Sequence, residues 1–503
     1  MKEKILQSPI VNTLIPDTIN PTPDYYCTWQ TQLYATCDGK PRAQRAAINE
    51  QSLFDKQKPY GWAYFYRLAR KDLLLVMDDS WDVPPCDEPN LYGSLVLDKE
   101  KFPQAWQGAR NNAEALKNLT NRIQALGWKG LGGWVCAQEA PSLISQTNVQ
   151  DYWKQRFFDM QYAGFSYWKV DWGEKCEDEA FRRMLTDMGR INAPKLTIEH
   201  AKVESIIPYS DVFRTYDVPA LMSIPMTMEK LAKNLFVGKT EEGCQGLINC
   251  EDEVYVAAAG GFAMGVMRHP YTGDFVNGKA DMSFPSLHRN IKTKMYEVVR
   301  AARFHRIAPA FGIGNTQTLV SKQTLTDTWR FKNHGAEMES WWFDVPSIAE
   351  HIQDNLLSKT APAAIARGMD LPKVEPDKNG DIPFIVAAKN PCGAYSIVTA
   401  GRTRERDYFL PRCDIELTCK NAQTIGVFGA YKTLTLHTQH THIQSVYMQD
   451  LADDKAYDVT ALVTLQGGTV VILGELIQTI GTLAQPKEDT SEAGVLIRIQ
   501  TKE

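Results

Sequence analysis

The chain lacks several features that would each have fixed a class. It has no apolar run approaching the roughly 18 residues of a transmembrane helix, so nothing in it is expected to span a membrane. It has no excess of positive charge: 55 Lys and Arg stand against 60 Asp and Glu, a net charge of −5, which advertises no basic surface for nucleic acid. It has no Cys-x-x-Cys pair. Its 10 cysteines are scattered, the nearest being Cys244 with Cys250 and Cys413 with Cys419, and such spacing reads as buried thiols rather than a disulfide framework. The opening "MKEKILQSPIVNTLIPD" lacks the apolar core of a signal peptide. The expected location is therefore the cytoplasm, or the periplasm or exterior if a signal has been removed. No internal repeat of roughly 20–50 residues stands out.

What remains is the composition of a globular protein of 503 residues, long enough for two or three domains, with 44% hydrophobic and 23% charged residues. Aromatics make up 10%, including 12 Trp and 20 Tyr, which suits stacking on sugars and also suits a large core. Eight short apolar runs recur: 26–32, 73–79, 131–138, 166–172, 195–200, 212–217, 247–252 and 264–269. Between them lie segments of helical periodicity such as 104–126 and 175–191. This alternation predicts an α/β fold, a closed (β/α)8 barrel with helices outside, over residues 25–314. The crossover 201–211 is too short for a full helix, so one repeat is degenerate. Residues 1–24 read as an arm packed on the barrel. From 315 to 503 the helical pattern fades into short β-rich segments such as "PFIVAA" and "TVVILGEL", predicting a C-terminal antiparallel β-sandwich, with 371–383 as a polar loop inside it.

The charges are not scattered. The runs are apolar in their bodies and polar at their carboxyl ends: Asp78 and Asp79, Gln138, Asp171, Glu199 with His200, Asp217, Asp252, His269. In this barrel active sites sit at the carboxyl ends of strands. "YWKVDWG", residues 167–173, is either a strand tip that holds a nucleophile over a sugar or a strand that ends in a polar turn. Two carboxylates over one mouth, Asp171 and Asp217, are what glycoside cleavage requires: one attacks or activates water and the other protonates the leaving oxygen. Lys169 shares the face of Asp171, because side chains alternate, and would keep it ionised. Arg214, three residues before Asp217, is expected to lean to the other face or reach round the strand end.

These segments resemble the α-galactosidase clan, families 27 and 36 of the glycoside hydrolases. "MDDSW" (77–81) resembles the clan's first acidic motif and "KVDWG" (169–173) its Lys-x-Asp nucleophile strand. "IEHA" (198–201) is similar to its Glu-bearing fifth strand, "FRTYDV" (213–218) to its acid/base strand, and "INCED" (248–252) to its Asn-rich seventh strand. The order is right over about residues 25–310. Ser80 and Trp172 depart from the pattern: the first motif usually carries Gly, and the nucleophile is usually followed by Asn, Met or a polar residue.

The resemblance implies a retaining, exo-acting α-galactosidase that needs no metal or cofactor, with a carbohydrate as its partner. Asp171 would be the nucleophile and Asp217 the acid/base. Asp78 and Asp79 would bind O4 and O6 of galactose, Lys169 and Arg214 would bind O3 and O2, and Glu199 would also bind O2. Trp81 and Trp29 would form an apolar wall, Trp29 reading equally as a core residue. With Asp79 and Glu199 so placed, β-L-arabinopyranosides, which lack the C6 hydroxymethyl group, and α-N-acetylgalactosaminides would be rejected by about 10⁴ or more. The alternatives are an α-galactosyl transferase of the raffinose-synthase kind, a β-L-arabinopyranosidase or α-N-acetylgalactosaminidase, and a non-catalytic carbohydrate-binding protein. The triplet His437, His440 and His442 has metal-like spacing but no acidic neighbour in sequence, "GIGNTQ" (312–317) lacks the last glycine of a dinucleotide loop, and Met222, Met226 and Met228 read as packing.

Overall fold

The computed structural model describes residues 1–29, 31–32, 45–57, 60–85, 89–215, 222–267, 294–330, 356–405, 407–440 and 442–501. Asp217 and His269 lie outside the described residues.

Eight parallel strands form the amino-terminal sheet: β1 Tyr25–Cys27, β2 Leu74–Met77, β3 Gly130–Val135, β4 Tyr167–Val170, β5 Thr197–His200, β6 Val212–Arg214, β7 Leu247–Asn249 and β8 Gly265–Val266. They neighbour one another in chain order, with β8 returning to pair with β1. A parallel bridge between Asn249 and Ala263 joins β7 to the chain entering β8 and completes the ring. Alternation decides which face each side chain takes. Tyr25, Cys27, Leu74, Val76, Tyr167, Val212 and Leu247 form one buried cluster, while Tyr26, Leu75, Met77, Trp168, Phe213 and Ile248 belong to the larger core beneath the helices. The first set is the barrel interior, because Glu199 of β5 reaches Tyr25 of β1, Tyr167 of β4 and Asn249 of β7. Two glycines make room there: a Cβ at Gly132 would stand 2.6 Å from the Tyr167 Cβ, and one at Gly265 would stand 2.5 Å from the Tyr25 hydroxyl.

The outer helices start where an Asn or Asp can satisfy the exposed N–H groups of a first turn. Asn111 caps α1 (Asn112–Ala125), Asn148 caps α2 (Val149–Ala163) and Asp178 caps α3 (Glu179–Asn192). The periodicity over 104–126 starts eight residues before its helix, since 103–108 is a series of turns ending at Gly108 with φ +77°. The degenerate repeat is the crossover between β5 and β6, where a six-residue 3-10 turn, Glu204–Tyr209, carries Pro208 in place of a helix. Helices α4 (Ser223–Asn234), α5 (Val254–Gly260) and α6 (Met295–Phe304) complete the barrel. No described helix is long and apolar enough to cross a membrane.

Beyond residue 315 a nine-stranded and a five-stranded sheet enclose a second core that includes Ile385, Ile397, Val427, Leu434, Val446 and Ile497. Most pairs are antiparallel, but Ala364–Arg367 with Phe384–Lys389, Tyr395–Ala400 with Thr424–Phe428, and Asp414–Thr418 with Thr433–His437 run parallel. Two expectations change. The segment 371–383 contains an edge strand, Lys373–Glu375, paired antiparallel with Asp414–Thr418; its exposed Lys and Glu hide it from a hydrophobic reading. The arm is not confined to the barrel: Ile10 and Val11 pair with Tyr457 and Ala456 at the edge of the nine-stranded sheet, and only then does the chain reach Asn20 and Asp24 at the barrel.

The two parts are tied by buried charge. Arg300 of α6 pairs with Asp450 of the sandwich through Nε at 2.8 Å and Nη2 at 3.1 Å, and both side chains are fully buried. Arg367 donates to the carbonyls of Gly260, Gly261, Phe311 and Gly312. Asp450 also accepts from the backbone of Ala452 and Ala484. Asp450→Ala leaves the buried guanidinium without its carboxylate, with Gln485 and the Glu492 carbonyl on Nη1, and is expected to cost about 3–5 kcal/mol, read as a lower midpoint in urea. A change within about 0.5 kcal/mol, the ordinary scatter of surface substitutions, would show that the pair does not hold the domains.

Candidate active site

Asp171 is the first residue beyond β4. Its N–H donates to Val135 at 3.0 Å and its carbonyl accepts from Arg182 of α3 at 3.2 Å, so both flanks of the strand tip are fixed. Arg182 also donates to the Val170 carbonyl and meets His200, whose other nitrogen meets Thr186. His200 is buried outside the barrel, and burial, then Arg182, hold its imidazole well below the usual histidine range. It is scaffold to the strand tip.

The Asp171 side chain turns into the mouth and is 7% exposed. Its two oxygens differ. Oδ2 pairs with Arg214 Nη2 at 2.9 Å, lies 3.8 Å from Lys169 Nζ and accepts from Trp134 Nε1 at 3.2 Å. Oδ1 is buried and has no hydrogen-bond partner among the described residues. Burial pushes this carboxyl up, but Arg214, then Lys169, then the Trp134 hydrogen bond outweigh it and hold the group below the usual aspartate range. The group is therefore ionised at neutral pH. The same shift stabilises the fold above the ordinary aspartate range, and that contribution is lost as pH falls through the lowered folded value.

Arg214 faces inward beside Asp171, as the alternation of β6 requires; Asp217, from which its face is expected to differ, lies outside the described residues. It is shared by three carboxylates, Asp171, Glu199 through Nε at 3.4 Å, and Glu251 through Nη1 at 3.3 Å. Lys169 is committed first to Asp78, at 2.6 Å, with side-chain exposures of 2% and 4%. Cys27 also donates to that Asp78 oxygen at 2.8 Å. Asp79 accepts from Arg45 Nε and from Ser80 Oγ, both at 2.8 Å. Burial raises its carboxyl to about 6 against the pull of Arg45. Ser80 holds φ +76°, a left-handed conformation that glycine adopts without steric cost.

The structure thus brings Asp78, Asp79, Lys169, Asp171 and Arg214 to one end of the barrel, with half-buried Trp29 packed on the interior cluster. Two expected ligands are not there. Trp81 is fully buried, donates its indole N–H to the Trp134 carbonyl and packs on Gly133 and Phe165, on the helix side of the sheet. It forms no wall of the mouth, because the loop after β2 turns it outward. Glu199 lies within the barrel, fully buried, bonded to Tyr25, Tyr167 and Asn249 at 3.1, 2.9 and 2.6 Å. It braces Arg214 from below rather than meeting a sugar hydroxyl.

Trp134 and Glu251 escaped the sequence reading. The signal was present: Trp134 follows Gly130 and Gly132 on the inward face of β3, and Glu251 follows Asn249 with the same period. Asp252 drew attention instead, but its carboxylate accepts from the Met267 backbone in a turn at φ +60°. In the sandwich, His437 meets Thr469 and Glu416, and among the described residues no three His, Cys, Asp or Glu side chains are grouped to hold a metal ion.

Trp134→Phe keeps the ring and removes the donor to Asp171. A hydrogen bond to a charged group is worth about 1.5 kcal/mol or more, and this one favours the charged resting carboxylate over the attacking one, so the plateau kcat/KM is expected to change less than the pH profile. The acid limb of the pH–rate profile should move to higher pH, because the Asp171 carboxyl rises. An unmoved limb would separate Trp134 from the charge on Asp171.

No protein-family model matches the chain, and no curated protein sequence matches it. Among solved structures, the chain is similar to a family 27 β-L-arabinopyranosidase from Geobacillus stearothermophilus, at 9% identity over 95% of this chain and 96% of that one, with a TM-score of 0.41. It is similar to a candidate α-N-acetylgalactosaminidase from Bacillus halodurans, at 10% identity over 64% and 89% of the two chains, with a TM-score of 0.34. A family 36 α-galactosidase from Geobacillus stearothermophilus matches at 14% identity over 36% and 28%, with a TM-score of 0.23.

Proposed function

We propose that the chain is a retaining glycoside hydrolase that removes terminal α-galactosyl residues through a covalent glycosyl–aspartate. The observation that carries this reading is the asymmetry of Asp171. One oxygen is fixed by a cation and an indole, and the other is buried and without a partner among the described residues. A buried carboxylate oxygen left unpaired is costly in a purely structural ion pair; it is what a nucleophile needs. In the first step Oδ1 attacks the anomeric carbon as the bond to the leaving oxygen breaks, and that oxygen takes a proton from the general acid, for which Asp217 is the candidate. Water, deprotonated by the same residue, then displaces Asp171 with retention of configuration.

Asp78 and Asp79 favour a sugar with hydroxyls at the positions assigned to O4 and O6. The expected rejection of the pentose weakens, however. Asp79 already has Arg45 and Ser80 as partners, so a missing hydroxymethyl group leaves no unpaired charge. Glu199, bonded inside the barrel, gives no ground for excluding a 2-acetamido group. The β-L-arabinopyranosidase reading therefore stands second. A screen of nitrophenyl glycosides tests both. α-Galactoside is expected to be the best substrate, with β-L-arabinopyranoside within about a hundredfold, the scale of lost contacts without an unpaired charge. No turnover of either would sink the proposal, and a gap of about 10⁴ would show that Asp79 has no partner but the substrate.

A further inference from the structure

The tryptophan beside the nucleophile is the one exposed tryptophan among the described residues: Trp172 has 56% of its surface in solvent. An indole usually gains by burial, and here the backbone works against it. The Trp172 carbonyl accepts from Ala137, the Lys175 N–H donates to the Ala137 carbonyl at 2.9 Å, and the Glu174 N–H donates to Gln138 Oε1 at 3.1 Å. Gly173 between them holds φ +139°, and a Cβ there would meet the Ala137 backbone at 2.6–2.8 Å. The segment after Asp171 is therefore clamped to the end of β3, with the indole held at the rim. Lys202, after β5, sits at φ +70° and places its ammonium 3.4 Å from the ring centroid. A cation at that distance fixes the orientation of the ring.

Asp171 faces the mouth, and Trp172 is the next residue on the rim, about 3.8 Å away along the backbone. A sugar attacked in line by Asp171 carries its leaving oxygen on the face away from that carboxylate, so a leaving group larger than one atom projects out of the mouth among the rim residues. We propose that Trp172, oriented by Lys202, is the platform of a leaving-group subsite that takes the apolar face of a second pyranose ring, so that the chain prefers oligosaccharides to simple glycosides. This rests on the hydrolase reading above.

The test compares α-galactosyl fluoride, whose leaving group has no ring, with melibiose, whose leaving group is a pyranose. In Trp172→Ala the ratio of kcat/KM for melibiose to that for the fluoride should fall about tenfold or more, the scale of a lost aromatic contact. In Trp172→Tyr it should stay within about threefold of wild type, because a ring is retained. A ratio in Trp172→Ala within about twofold of wild type, well inside that expected loss, would overturn the subsite. If the wild-type chain cleaves neither substrate, the hydrolase reading fails, and the subsite is judged by binding alone. Melibiose should then quench indole fluorescence in the wild type and not in Trp172→Ala; equal quenching in both, or none in either, overturns it.

Discussion

Asp171→Asn is expected to reduce turnover by several orders of magnitude without unfolding the chain, because a covalent nucleophile supplies a reaction path and not a set of contacts. The fold should tolerate the change. Asparagine retains an oxygen to accept from Trp134 and to face Arg214, and Arg214 keeps Glu199 and Glu251. Asp171→Gly should be equally inactive, but azide can enter the vacated space. With an activated aryl glycoside it should restore part of the rate and yield the β-configured glycosyl azide. A residual rate in Asp171→Asn above about a tenth of wild type, less than 1.4 kcal/mol of barrier, would remove Asp171 from the role.

The second large effect separates substrates by leaving group. Asp217→Ala should cost about 10²–10⁴ on an alkyl galactoside, the usual worth of a general acid. In kcat/KM, which reports the first step, it should cost little on a dinitrophenyl galactoside, whose leaving group needs no proton, while kcat on that substrate falls because the water loses its base; the basic limb of the pH profile should vanish. Glu251 provides the control, since it shares with Glu199 the guanidinium that holds Asp171 and, unlike Glu199, lies beyond the strand end. If Glu251→Gln shows this leaving-group dependence and Asp217→Ala loses equally on both substrates, the acid is Glu251.

The barrel was legible because parallel strands buried on both faces read as short apolar runs, and because polar side chains gathered at the carboxyl end of nearly every run. Asp78 and Asp171 are marked by that pattern; Arg214 is not, and enters the site only through the resemblance carried by "FRTYDV". What the pattern could not give was direction beyond the strand end. Trp81 and Asp79 are two residues apart in one motif, yet the loop sends Trp81 to Phe165 behind the sheet and Asp79 to Arg45. Nor could it give partners remote in sequence. Glu199 has the right residue type for a sugar ligand, but Tyr25, Tyr167 and Asn249, from three other strands, occupy it. Strand ends announce where chemistry lies; which polar groups remain for substrate is settled by hydrogen bonds across the barrel.

The most direct test of a glycosyl–aspartate on Asp171 is to trap it. A fluorinated galactosyl donor with an activated leaving group forms the intermediate quickly and loses it slowly, so the intact protein should gain the mass of one fluorogalactosyl group. Peptide mapping should then place that mass on the segment containing Asp171, and the label should be absent in Asp171→Asn. A label carried by another carboxylate, or hydrolysis of the same donor with inversion and no labelled protein, would contradict the assignment.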